Sequence, residues 1–249
     1  MKLTGPKLPK EWKLTMPIIS DYRIKQIQQT LKMMYPEVKT QLYHHNAFEL
    51  LIATILSAQC TDRQVNAVTP KLFHKLKTPQ DFIDVKTETL EKLIYTTGFF
   101  HNKAKNIKKC CEMLQTEYDS QVPKNLKDLV RLPGVGRKTA NVVLGSAFGQ
   151  QTIVVDTHVG RISQRLGLTK ETSPEKIESD LMTCLPKKSW NDFSLHLIHL
   201  GRQFCKASRP DCENCPLSQW CEYNQMVVLY AQSILIRSKH IWISGSQSC

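Results

Sequence analysis

Four cysteines and one lysine carry the chemistry most visible in this chain. Cys205, Cys212, Cys215 and Cys221 are spaced C-x6-C-x2-C-x5-C. Four thiolates so close together suit a tetrahedral zinc ion or a [4Fe–4S] cluster, and ligand chemistry alone does not separate the two. Upstream, "RLPGVGRKTANVVL" (131–144) places Lys138 just after a Pro-Gly-x-Gly turn and at the start of a helix-forming stretch. Gly134 and Gly136 permit a tight turn, and successive N–H groups there, at a helix start, make an anion site. A main-chain phosphate site positions a polyanion without reading its sequence. Glycines at that spacing also suit a plain interhelical turn, and a lysine there is an ordinary surface residue, a phosphate contact or an amine nucleophile. Arg137, Lys138 and the overall charge tilt the reading toward phosphate.

The totals agree with that reading. The chain has 249 residues, enough for one large domain or two small ones, and a formal net charge of +12. Such a balance favours a polyanionic partner. The opening "MKLTGPKLPKEWKLTMP" has no apolar segment of a secretory leader, and no run approaches the roughly 18 apolar residues of a membrane span. The expectation is an unsecreted protein, in which four clustered cysteines read as metal ligands rather than disulfides. Cys60, Cys110, Cys111, Cys184 and Cys249 read as core or incidental.

The elements that must position these residues are helical nearly throughout, so the expected class is all-α. Ile24, Ile27, Leu31 and Met34 form one apolar stripe; Phe48, Leu51, Ile52, Ile55 and Leu56 form another. "TDRQ" (61–64) reads as a capping box before a helix that buries Val65, Val68, Leu72 and Leu76, with Pro70 expected to kink or shorten it. Ser173 with Pro174, and "SWND" (189–192) ahead of Phe193, Leu197 and Leu200, read as further helix starts. Residues 125–132 and 137–148 read as two helices around the glycine turn, with Val143, Leu144 and Ala147 facing inward. Thr152 to Val155 is one short extended run. Residues 1–19 read as a flexible basic arm, and 225–249 as a tail of unassigned role.

"LPGVGRKTANVVL" followed by "VDTHVGRISQRLGL" resembles the helix–hairpin–helix and Gly/Pro-Asp signature of the endonuclease III family of DNA glycosylases. The resemblance extends back through "LLIATILSAQCTD" and "TTGFFHNKAKNI" and forward to the cysteines, over roughly residues 20–224. It implies two helical subdomains flanking a DNA-binding cleft. One is a six-helix barrel over 40–150 that carries the hairpin; the other is an iron–sulfur subdomain made of 20–39 and 151–224. It implies a [4Fe–4S] cluster on Cys205, Cys212, Cys215 and Cys221. It implies a bifunctional DNA glycosylase/AP lyase of base excision repair that removes oxidised pyrimidines from damaged double-stranded DNA. The enzyme would be monomeric, with no membrane association, and cytoplasmic, at the nucleoid if bacterial.

By the same resemblance Lys138 is the Schiff-base nucleophile. A protonated lysine cannot attack, and a helix N-terminus, Arg137 and desolvation would each favour the neutral amine. Asp156 alone reads as a helix N-cap; the resemblance makes it the catalytic carboxylate, and the two roles are compatible. Gln59, Phe99 and His101, with Asn102, match void-filling and strand-probing positions, against core packing for Phe99 and Phe100. His158, Lys206 and Arg209 are further candidate DNA contacts, the last two on the first cysteine loop. The rival readings are a mismatch-directed glycosylase of the same superfamily, which as a monofunctional enzyme would lack Lys138, and a non-catalytic metal-stapled DNA-binding protein.

Overall fold

The computed structural model describes residues 20–230; the arm expected over 1–19 and the tail beyond 230 lie outside the described residues. Among the described residues the secondary structure is entirely helical. The chain divides into two compact units: Lys39–Val154, and the segments before and after it.

The Lys39–Val154 unit is built around α2 (Ala47–Leu56), whose residues 50–56 are all buried. The sequence shows one apolar stripe here, but Leu50, Ala53 and Thr54 are covered as well. A helix apolar all round has no face to give to solvent and becomes the centre of its unit. Helices α3 (Asp62–Lys75), α6 (Phe100–Glu117) and α8 (Arg137–Phe148) pack on it, while α4 (Pro79–Asp84) and α5 (Thr87–Ile94) pack on α6. Val65, Val68, Leu72 and Leu76 are buried as their spacing predicts. Helix α3 is not shortened at Pro70. Pro70 is exposed and the helix runs on to Lys75, because the packing of Leu72 and Phe73 outweighs one missing hydrogen bond.

Short α7 (Leu126–Leu129) is capped by Asn125, and the chain then turns into α8. The extended run after α8 pairs with no strand. Two side-chain bonds tie it to α8 instead: the Asn141 amide donates to the Ile153 carbonyl at 3.0 Å, and the Thr152 hydroxyl donates to the Asn141 carbonyl at 2.9 Å.

The second unit joins α1 (Asp21–Met34) to α9 (Thr157–Arg165), α10 (Pro174–Cys184) and α11 (Trp190–Gln203). Ile24, Ile27 and Leu31 of α1 are buried, and α1 and α9 both pack on α11. The helix starts at Ser173 and Ser189 lie where expected, yet neither serine caps with its side chain. Ser173 bonds Glu175 instead, and Ser189 donates to the Pro186 carbonyl. Arg23 ties α1 to the end of the unit: it pairs with Glu222 at 2.7 Å and donates to the carbonyls of Trp220 and Leu166.

Candidate functional site

In the hairpin the two glycines have different reasons to be glycine. Gly134 has φ +81°, and a Cβ there would stand 3.0 Å from the Asn106 Cβ and 3.4 Å from Ile55 Cγ2. Backbone and packing both require its missing side chain. Gly136 has φ −89° and ψ 175°, a conformation open to any residue, and a Cβ there would meet nothing within 4 Å. It is the N-cap of α8, and no side chain caps that helix. The space beside Gly136 is thus open, and the first turn of α8 carries the positive end of the helix dipole. Arg137 and Lys138 are exposed on this first turn.

Asp156 is the N-cap of α9. One of its oxygens, Oδ1, accepts from both the His158 and Val159 N–H groups at 2.8 Å. The helix therefore fixes the carboxylate by its own main chain. His158 follows on the first turn, where its ring packs against Gly201 and its Nδ1 lies 3.1 Å from Arg161 Nη2.

The four cysteines line one cavity together with Arg165 and Tyr223. Among the described residues no three or more His, Cys, Asp or Glu side chains converge as ligands of a single metal ion. The sulfurs instead surround a shared space. Burial holds the Cys215 thiol up, to about 11, and also raises Cys212 and Cys221. Such thiols ionise readily only where a cationic centre takes them as ligands. Donor set, enclosure and cation demand fit an iron–sulfur group, which would be held by Cys205, Cys212, Cys215 and Cys221.

Two arginines of α9, which the sequence alone does not single out, hold the first cysteine loop. Arg161 donates to the Cys205 carbonyl at 2.8 Å. Arg165 donates to Cys205 Sγ at 3.1 Å and to the carbonyls of Lys206 and Ala207, with its guanidinium 4.7 Å from the Tyr223 ring centroid. Their spacing of four residues on one helix is the signal that could have found them. Lys206 and Arg209 are exposed on the loop so held, and Arg209 has φ +55°.

Gln59 and Phe99 share an unusual backbone. Both are exposed and left-handed, with φ of 53° and 48°. Phe99 is 63% exposed, so core packing is not its role. Phe100 does pack, 4.9 Å from the Tyr95 ring. His101 pairs with Glu91 at 2.8 Å, and Asn102 is exposed.

Comparison with known proteins gives a consistent result. Residues 52–187 match the HhH-GPD superfamily of base excision DNA repair proteins, and residues 205–221 match the iron–sulfur binding domain of endonuclease III. The chain is 48% identical to an endonuclease III of Synechocystis sp. over 80% of this chain and 91% of that protein. It is 47% identical to an endonuclease III of Bacillus subtilis over 77% and 88% of the two chains. Its structure resembles that of a trapped endonuclease III–DNA covalent intermediate, with a TM-score of 0.80 and 45% identity, covering 84% of this chain and 99% of the other.

Proposed function

We infer the working of this protein from one premise: the chain belongs to the endonuclease III family within the HhH-GPD superfamily of base excision DNA repair proteins. It is a DNA glycosylase/AP lyase that binds DNA and carries a [4Fe–4S] cluster. The observation that carries the assignment of roles to residues is the start of α8: an uncapped helix terminus beside Gly136, with Lys138 exposed on its first turn.

A backbone phosphate of the damaged strand sits on the N–H groups of that turn. This delivers the adjoining sugar to Lys138. The neutral amine attacks C1′ and the glycosidic bond breaks, the base leaving with the bonding electron pair. Asp156 stabilises the positive charge that develops on the sugar and receives the proton shed by the lysine nitrogen. The nitrogen lone pair then expels the ring oxygen: the C1′–O4′ bond breaks, O4′ takes up a proton as the sugar opens, and a protonated Schiff base is left at C1′. Loss of a C2′ proton and cleavage of the C3′–O bond release the 3′ phosphate, and water hydrolyses the Schiff base to regenerate Lys138.

Gln59 and Phe99 fill the space left by the flipped nucleotide, and His101 and Asn102 probe the strand beside them. Their exposure supports that role. His158, Lys206 and Arg209 add contacts, the last two on the loop that the cluster ligands pin. The cluster supplies structure to that loop. The damaged base is an oxidised pyrimidine, and the enzyme acts as a monomer in the cytoplasm, at the nucleoid if the source is bacterial. Among the described residues no helix is long and apolar enough to cross a membrane.

Borohydride trapping on a duplex with one thymine glycol tests the assignment. Wild type should form a covalent adduct and Lys138→Gln none, while Lys138→Gln still binds the duplex. An adduct of undiminished yield from folded Lys138→Gln would place the nucleophile elsewhere.

A further inference from the structure

Lys103, on the first turn of α6, is only 5% exposed. Its position belongs to an apolar stripe with Ile107, Cys110 and Leu114, where a leucine or methionine would be the ordinary choice. Its Nζ donates to the Leu56 carbonyl and to the Thr97 carbonyl, both at 2.7 Å. Burial pulls its pKa down, so the charge is held there at a cost. That cost falls at a particular place. Leu56 is the last residue of α2, just ahead of the loop that carries Gln59. Thr97 closes the short 3-10 turn Tyr95–Thr97, just ahead of Gly98 and Phe99.

Left-handed backbone at non-glycine residues costs of order 1 kcal/mol and persists only where surroundings over-determine it. Phe99 is mostly exposed and recovers little of that by burial. A tetrahedral ammonium with three donors can hold carbonyls from two segments at a set separation, which no apolar side chain can do. A second tie joins the same region: Gln64 Nε2 donates to Thr96 Oγ1 at 2.7 Å.

We propose that Lys103 is a positioning residue for nucleotide flipping: it clamps the Gln59 loop to the Phe99 loop so that both side chains enter the duplex as one preset wedge. It touches no DNA itself. This rests on the reading of Gln59 and Phe99 as void-filling residues.

The test uses the full, cluster-loaded chain and two substrates. One is a duplex containing a single abasic site, which must be flipped; the other is a single-stranded oligonucleotide with an abasic site, which needs no wedge. Flipping costs a few kcal/mol, so Phe99→Ala and Lys103→Met should each slow single-turnover cleavage of the duplex by about tenfold or more. Cleavage of the single strand should change by less than about threefold for Lys103→Met. The double variant should be no slower on duplex than Phe99→Ala alone within about twofold, because a wedge already removed cannot be misplaced. If Lys103→Met does not load the cluster, Lys103→Gln, which keeps two donors, is tested for the same split. Equal slowing on both substrates, or effects that multiply in the double variant, overturns the clamp. No duplex defect in Phe99→Ala overturns the wedge reading, and the clamp falls with it.

Discussion

Gly134 and Gly136 are two residues apart and obey different constraints. Gly134→Ala meets both a positive φ and the Asn106 side chain, and should cost about 2 kcal/mol, seen as a fall in Tm. Gly136→Ser supplies the N-cap acceptor that α8 lacks. Stability should hold or rise by some tenths of a kcal/mol, while duplex affinity falls several-fold as the new hydroxyl takes N–H groups a phosphate would use. Fluorescence anisotropy beside a melting curve reads both; unchanged affinity would remove the phosphate from the hairpin. The tight turn is legible in "PGVG", but the difference between the glycines is not. It depends on Asn106 and Ile55, which only folding brings beneath the turn. Lys103 escapes the sequence for a different reason. Its neighbourhood reads as a strand-probing loop, whereas the telling sign is a lysine on the apolar stripe of α6.

At the level of the element, α9 begins on a carboxylate that caps it and to which we assign a part in the reaction. Asparagine caps a helix about as well as aspartate but carries no charge. Asp156→Asn should therefore leave Tm nearly unchanged while excision falls about 100-fold or more, and Asp156→Ala should lose activity together with about 1 kcal/mol of stability. Comparable excision by Asp156→Asn and wild type would make the residue a cap and nothing more. Helix α8 matches the range expected from the sequence, Arg137–Phe148, because glycine bounds it at both ends. The starts of α10 and α11 are legible too, but not the means of closing them. Ser173 and Ser189 both find nearer or better-placed partners than the helix N–H groups. The continuous burial of α2 exceeds its stripe because helices arrive on several sides, which periodicity within one segment cannot report.

Across the whole molecule, the +12 charge should make binding strongly salt-dependent. With about four phosphates neutralised, duplex affinity should fall roughly 100-fold between 50 and 200 mM salt. A response near zero would mean that the surplus cations do not meet DNA. Lys206 and Arg209 should each contribute to that slope, so neutralising either should lower it by about one contact's share. The class and the polyanionic partner are legible from composition and periodicity. The cysteine set is legible from its spacing as a metal-binding pattern, and the choice of cluster over zinc needs the resemblance. The shared cavity, in turn, is a matter of tertiary structure.

The Arg23–Glu222 pair joins residues 199 positions apart, and the unit it closes is interrupted by the whole of Lys39–Val154. On the ribosome this separation becomes a waiting time. At ordinary elongation rates, about 10 to 40 s pass between synthesis of α1 and arrival of the carboxylate that receives it. Until α11 follows, Ile24, Ile27 and Leu31 lack the helix they pack on, while the intervening unit can complete its own core. The nascent chain thus carries an uncovered apolar helix until α11 is made, and ribosome-associated chaperones would find their target there, at residues 21–34.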